Sequence, residues 1–345
     1  MSRVDIDRLL EPISEESPCG DDLEYEPEFG ELERTAQGKP GHEIGEPGRE
    51  KKIPPEPPNW NEVFDAAEAL LMRSKDLRIA THLAHASLNL DGLVGLAAGL
   101  DLINKMLQQY WDDLHPELDA EDDDDPTLRI NCLAPLNGQG EFLASLDRAV
   151  LVSSKTLGRF SMRDIRLANG EISLPEDDET AIPDPSHIEA AFLDCEQEEL
   201  TGNAEAVSQC MDFISNLEEF ARDQVGTEFA PDLGALTTEL NAIHGKLREQ
   251  LARRGVELEP AEGGTEGTAD APASVPGEIR SRDDAIRVLD RVCEYFRKNE
   301  PSSPVPLLLQ RAKRLIAKDF MEILRDLTPQ GVSEAEMIGG LDRED

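Results

Sequence analysis

The sequence predicts an all-α protein, and three observations carry the prediction. Apolar residues recur at spacings of three and four through most of the chain, the period of a helix with one buried face. Helix-start patterns precede several of those runs, as in Asn59 with Glu62 and Ser186 with Glu189. Composition agrees: of 345 residues, 39% are apolar, 31% charged and only 4% aromatic, which suits a helix-rich soluble chain.

Residues 11–58 are rich in Pro, Gly and Glu, and from Lys39 to Pro58 no apolar period is visible, so this segment reads as an extended Pro/Gly-rich arm. Helical periodicity begins at Asn59, with Val63, Phe64, Ala67, Leu70 and Leu71 on one face. A second helix is expected from Lys75 to Leu88, and a third from Asp91 through Leu93, Leu96, Leu100, Ile103, Leu107 and Tyr110. The glycines Gly92, Gly95 and Gly99 fall inside this apolar period with no strand before them, which favours close helix packing over a dinucleotide fingerprint.

Residues 112–126 hold nine acids and no lysine or arginine, so they form a solvated loop unless a cation or a basic partner covers them. Tyr110 and Trp111 are placed to anchor that loop to the core. Helices are then expected over 127–137 and 141–154, with another start at Ser161 and Asp164. The polar stretch 167–184, broken by Pro175 and Pro183, reads as a boundary, and a second helical block follows to about Arg254 with turns at Gly202, Gly226 and Pro231. Residues 257–278 collapse to Gly, Pro, Ala, Thr and Glu, the composition of a disordered linker. Helical spacing returns from Arg280 to Leu327. The domains expected are thus an N-terminal helical domain (1–175), a helical middle domain (186–256), an acidic linker (257–279) and a small helical C-terminal domain (280–345).

With 73 Asp+Glu against 34 Lys+Arg the formal charge is −39, which repels phosphate backbones and anionic headgroups, so neither nucleic-acid binding nor membrane insertion is expected. Residues 280–327 run the other way, with 11 basic and 8 acidic side chains, +3, leaving −39 − 3 = −42 for the rest. Leu307, Leu308, Leu315, Phe320 and Leu324 crowd this short block with more apolar surface than it hides alone, which points to homo-oligomerisation. No run approaches about 18 uninterrupted apolar residues, and the N-terminus lacks a signal peptide's apolar centre, so a cytoplasmic location is expected.

No catalytic constellation emerges. The five cysteines are scattered and never in C-x-x-C spacing, and read as free thiols. Acidic neighbours suppress the Cys19 thiolate, favouring a packed structural role. His82 and His85 lie one turn apart without the glutamate of a metalloprotease helix. As a calcium loop, the run from Asp119 would have Asp124 at the glycine position and Ile130 at the bidentate-glutamate position. No cofactor is expected. The favoured role for Trp111, Asp122, Asp123, Asp124 and Asp125, with the Pro18–Tyr25 arm, is partner binding.

Five motifs in order, Pro18–Tyr25, Asn59–Val63, Arg73–Arg78, Tyr110–Pro116 with its acidic tail, and Arg163–Ile165, resemble the ImpA-type N-terminal domain of TssA proteins from bacterial type VI secretion. Tyr295–Arg297, Glu300–Pro304 and Arg311–Ala312 are similar to the ending of short members of that family. The resemblance implies a non-enzymatic assembly protein whose C-terminal domain forms a ring. It implies baseplate, sheath and tube proteins as partners, and a place on the cytoplasmic side of the inner membrane. The short length favours the baseplate role over capping of the sheath. Two alternatives remain open at this level: an enzyme holding a metal in a carboxylate cluster, and a monomeric regulatory adaptor.

Overall fold

The structure, a computed structural model, describes residues 2–39, 41–44, 51–53, 55–119, 124–138, 140–174, 181–226 and 229–256, with Leu289, Leu309 and Lys313 in addition. The chain divides into two units, Met1–Gly263 and Gly264–Asp345, and all the elements below belong to the first. The expected linker and C-terminal domain, including Leu307, Leu308, Leu315, Phe320 and Leu324, lie outside the described residues.

The first unit is mostly helical, in the order α1 (Ile6–Leu9), α2 (Pro27–Gln37), β1 (His42–Ile44), β2 (Lys51–Ile53), α3 (Trp60–Leu71), α4 (Leu77–Tyr110), α5 (Thr127–Asn131), α6 (Ala134–Asn137), α7 (Glu141–Asp147), β3 (Val150–Ser154), β4 (Gly158–Ser161), α8 (Met162–Ala168), α9 (Pro185–Asp194), α10 (Gln197–Val225) and α11 (Gly234–Arg253). The strands form two separate antiparallel hairpins, β1–β2 and β3–β4.

Helix α4 organises the rest. By length and composition it could cross a bilayer, but most of its apolar surface is buried inside the protein and its backbone is broken at Gly92 (φ +65°, ψ −144°). It is two helical arms folded back on each other. A Cβ on Gly99 would lie 2.6 Å from Cα and Cβ of Ala84, and one on Gly95 would lie 2.1 Å from the carbonyl oxygen of Ser87, so the arms meet backbone to backbone where the sequence places small residues. Leu83, Leu96, Leu100 and Ile103 around this seam are fully buried, each removing apolar area worth roughly 1.5–3 kcal/mol. Polar groups inside the seam are satisfied: Ser87 Oγ donates to Leu83 O (2.7 Å) and Thr81 Oγ1 to Leu77 O (2.8 Å).

Helices α3 and α10 cover α4, α11 lies against α10 and α2 against α3. The segments expected as N-terminal and middle domains contribute to one continuous hydrophobic cluster. Polar links join them as well: Asn104 Nδ2 of α4 donates to Phe213 O of α10 (2.9 Å), and Asn137 Oδ1 accepts from the first amides of α11, Ala235 (2.7 Å) and Leu236 (3.0 Å).

Several local expectations change. The arm contains α2, which starts on Pro27 and turns Phe29, Leu32 and Ala36 inward; dense glutamates hide that spacing in the sequence. The helix expected over 141–154 stops at Asp147, and Val150–Ser154 pairs instead with Gly158–Ser161, because a short β-branched apolar run fits either state until a partner strand is present. Asn59 is the cap of α3 without a side-chain bond. Helix α9 is capped by Asp184, whose Oδ1 accepts from Ser186 N (2.8 Å), while Glu189 reaches across to Lys246, Gln250 and Arg253 of α11. Ser161 and Asp164 do form a capping box. Gly202 marks no turn; it lies within α10 with nothing near its missing side chain.

Two glycines therefore predict opposite outcomes. Gly99→Ala forces a methyl into Ala84 and lowers stability by about 1–3 kcal/mol, whereas Gly202→Ala, on an open helical face, raises it by up to about 1 kcal/mol. Urea denaturation of both variants checks the pair, and a stabilising Gly99→Ala would contradict the close-packed seam.

Candidate partner-binding site

The N-terminal arm is seated on the connection between α3 and α4. Cys19 O accepts from Lys75 N (2.7 Å), and Gly20 (φ +72°) pairs with Ser74, with no room for a Cβ, which would stand 2.2 Å from Arg73 O. Cys19 is buried, and burial, with Asp113 adding to it, pushes its thiol up to about 11. Lys75 is buried as well, its Nζ donating to Leu71 O (3.1 Å), and burial pulls its pKa down.

Arg78, at the start of α4, gathers three carboxylates: Asp76 (2.6 Å), Asp22 (2.8 Å) and Glu24 (2.8 Å), with its guanidinium 4.9 Å above the Phe29 ring. Burial works against its charge, but the bonds and charges of Asp76, Glu24 and Asp22 outweigh that and raise its pKa. Asp22 and Glu24 of the arm are thus engaged internally, while Tyr25 at its end is 94% exposed.

The acidic loop is built on a buried cation. Arg129 of α5 is fully buried, and its guanidinium donates to the carbonyls of Pro116 (Nε, 2.9 Å), Leu114 (Nη2, 2.5 Å) and Trp111 (Nη1), while stacking 4.8 Å from the Trp111 ring. His115 continues the anchorage: its backbone bonds Lys75 and Leu77, and Nε2 lies 3.0 Å from Gly20 O, joining loop to arm. Tyr110 Oη donates to Leu10 O (2.5 Å). Farther out, Asp119 and Asp125 pair through their backbones (3.1 and 3.3 Å), and Asp125 Oδ1 accepts from Thr127 N (2.7 Å). The Thr127 hydroxyl and amide hold the Asp125 carboxyl below its ordinary range.

Of the predicted partner residues, Trp111 is an anchor: half-buried, it stacks on Arg129 and meets Phe220 of α10 edge-on at 5.5 Å. Asp124 is exposed with φ +59°, and Asp125, just before the Pro126 cap position, accepts from the first amide of α5, Thr127 N. Asp122 and Asp123 lie outside the described residues. Arg129 was not singled out in the sequence; its signal is a lone base in an apolar helical turn directly after an acid-only run.

His85 is packed between Trp60 (4.4 Å) and Phe142 (5.1 Å), with Nε2 3.1 Å from Ser145 Oγ, and burial, with His82 and Arg148 nearby, lowers it to about 4. Among the described residues no three His, Cys, Asp or Glu side chains converge to hold a metal ion.

Residues 10–138, which contain the arm, both arms of α4, the acidic loop and Arg129, match the family model described as ImpA, N-terminal, type VI secretion system. The type VI secretion system component TssA1 of Pseudomonas aeruginosa strain PAO1 is 40% identical over 353 residues, spanning 99% of this chain and 100% of that protein. The chain belongs to the TssA family. A solved TssA N-terminal domain from Burkholderia cenocepacia, which includes the conserved ImpA_N region, has the same fold: TM-score 0.60 at 24% identity, over 73% of this chain and 96% of that one. The TssA fold thus extends well beyond the ImpA-matched residues, consistent with α9–α11 packing into the same core.

Two outcomes follow for this TssA protein. Arg129→Lys lowers stability by about 3 kcal/mol, because an ammonium cannot reproduce the planar fork that serves three buried carbonyls; thermal denaturation measures it, and an unchanged Tm would refute the role given to Arg129. For His85 the folded pKa lies below the ordinary value near 6.5, so its contribution is present above that pH and is lost as pH falls toward 4. Stability at pH 5 should be about 2 kcal/mol below that at pH 7.5 from this group, and His85→Phe should flatten that part of the profile in urea titrations.

Proposed function

We propose that this chain is a non-enzymatic assembly component of the type VI secretion apparatus: a baseplate-associated scaffold that supports tube and sheath assembly. The near full-length relationship to a protein described as a type VI secretion system component carries this reading. Residues 280–345 form the ring through Leu307, Leu308, Leu315, Phe320 and Leu324, where a basic, apolar-rich block follows a strongly acidic one. The acidic N-terminal unit stands in the cytoplasm at the inner-membrane apparatus and receives baseplate, sheath or tube proteins on the loop held by Arg129. Asp122, Asp123, Asp124 and Asp125 are the contact charges; Trp111 takes part by fixing the loop's base. A rigid base matters because a preordered anchor loses less entropy when a partner docks.

The test is sheath assembly in cells lacking the chain, complemented at equal expression. The parent sequence restores fluorescent sheaths. Replacing Asp122–Asp125 together with Asn keeps the fold and reduces sheath number, and full assembly by that variant would remove the loop from the function. Leu308→Glu with Leu315→Glu should shift the full chain toward monomer in light scattering; an already monomeric parent would remove the ring.

A further inference from the structure

Beside the base of the acidic loop, a groove of about 430 Å³ runs between α5–α6 and the 229–232 segment that leads into α11. Ile130 and Ala134 form one wall, Phe229 and Pro231 the other, and among the described residues no lysine or arginine lines it. Phe229 is 41% exposed, leaving a large ring partly in water where an internal role would have buried it. The walls are tied together, since Asn137 of α6 accepts from the amides of Ala235 and Leu236 in the first turn of α11, so the groove exists before anything fills it.

Its rim is acidic. Thr127 at one edge is held by Asp125, whose backbone closes the acidic loop against Asp119, and Asp232 stands at the opposite edge with Oδ1 accepting from Gly234 N (2.9 Å). Exposed Asp124 is next to the first edge. Thr127, Asn131 and Asn137 are the uncharged polar side chains of the lining, and an apolar floor with Asp232 at one edge and Asp125 behind the other repels anions. It suits an apolar protein segment flanked by bases.

We propose that this groove docks a segment of a partner protein in which one or two large apolar side chains are bracketed by lysines or arginines. The apolar side chains sit against Phe229, Pro231, Ile130 and Ala134, and the bases face Asp124, Asp125 and Asp232. The proposal rests on the reading of the loop as a partner surface and gives that surface its anchor: the nine acids of residues 112–126 attract the segment, and the groove holds it. Charge selects the partner class, since the chain as a whole carries −39 and the groove edge at Thr127 directly follows the nine-acid run of residues 112–126.

A fluorescent amphipathic Leu/Lys peptide titrated into the full chain tests this, with a Leu/Glu peptide of equal length and a Ser/Lys peptide as counterparts. The Leu/Lys peptide is expected to bind and the other two to bind at least about tenfold more weakly. Phe229→Ser and Ala134→Arg, both at solvent-accessible positions, should each weaken binding about tenfold with unchanged circular dichroism. Asp124→Asn with Asp125→Asn should weaken it and flatten its salt dependence. If the Asn variant loses binding while Phe229→Ser and Ala134→Arg keep it, the groove is overturned and the loop reading stands. If only the groove variants lose binding, the charged part of the proposal and the loop reading both fail. Equal binding of the Leu/Glu peptide, or none by Leu/Lys, overturns the proposal outright. In cells, a photo-crosslinking residue at position 229 should capture a base-flanked apolar segment mapped by mass spectrometry; capture only of a second copy of this chain, or of acidic segments, counts against it.

Discussion

The two arms of α4 approach so closely at Gly95 against Ser87 and Gly99 against Ala84 that no larger side chain fits between them. That approach depends on Gly92, whose positive φ reverses the chain where an L side chain would be strained. From it follows a compact apolar hairpin against which α3 and α10 pack, with Leu77, Leu83, Leu96, Leu100 and Leu102 of the hairpin fully buried. The same hairpin fixes both the N-terminal arm and the acidic loop. Its first residues, at Asp76–Arg78, hold the N-terminal arm, and its last, Tyr110, together with Trp111, starts the acidic loop.

A chain with twice as many acids as bases has few cations to spend, and it places several of them inside. Arg78 gathers Asp76, Asp22 and Glu24; Arg166 joins Asp147 to Glu239 of α11; Arg129 serves backbone carbonyls alone. In Arg166's cluster burial raises Asp147 while the arginine lowers it. Arg78 and Arg166 link segments 54 and 73 residues apart and Arg129 reaches back 13 to 18 residues, and breaking such a site by removing one partner is far more costly than its net contribution suggests. Acidic repulsion is thereby tolerated at the surface while the interior is held by a small number of charge-assisted bonds.

For an assembly protein this division makes physical sense. Exposed like charge is suited to attracting basic partners over distance, and it contributes little to holding them once docked. An apolar groove beside a charged loop would supply the holding energy, and the loop's Arg129 base and the Asn137 clasp keep both elements in place before a partner arrives.

The sequence by itself determined the helical class, α3 with its inward face, the two arms of α4 and the tight packing of their glycines, because a buried helical stripe and small residues at a seam leave a periodic record. The order of five short motifs also identified the TssA family, to which the 40% identical relative belongs. Tertiary structure decided what periodicity cannot encode. Val150–Ser154 became a strand only because Gly158–Ser161 lies beside it, and α2 became a helix only because α3 covers Phe29 and Leu32. Glu189 left its capping position for three partners on α11. The acidic run was legible as a loop, but its foundation was not: Arg129 acts on carbonyls, which every residue carries, so no side-chain pattern in the chain could name Trp111, Leu114 and Pro116 as its acceptors.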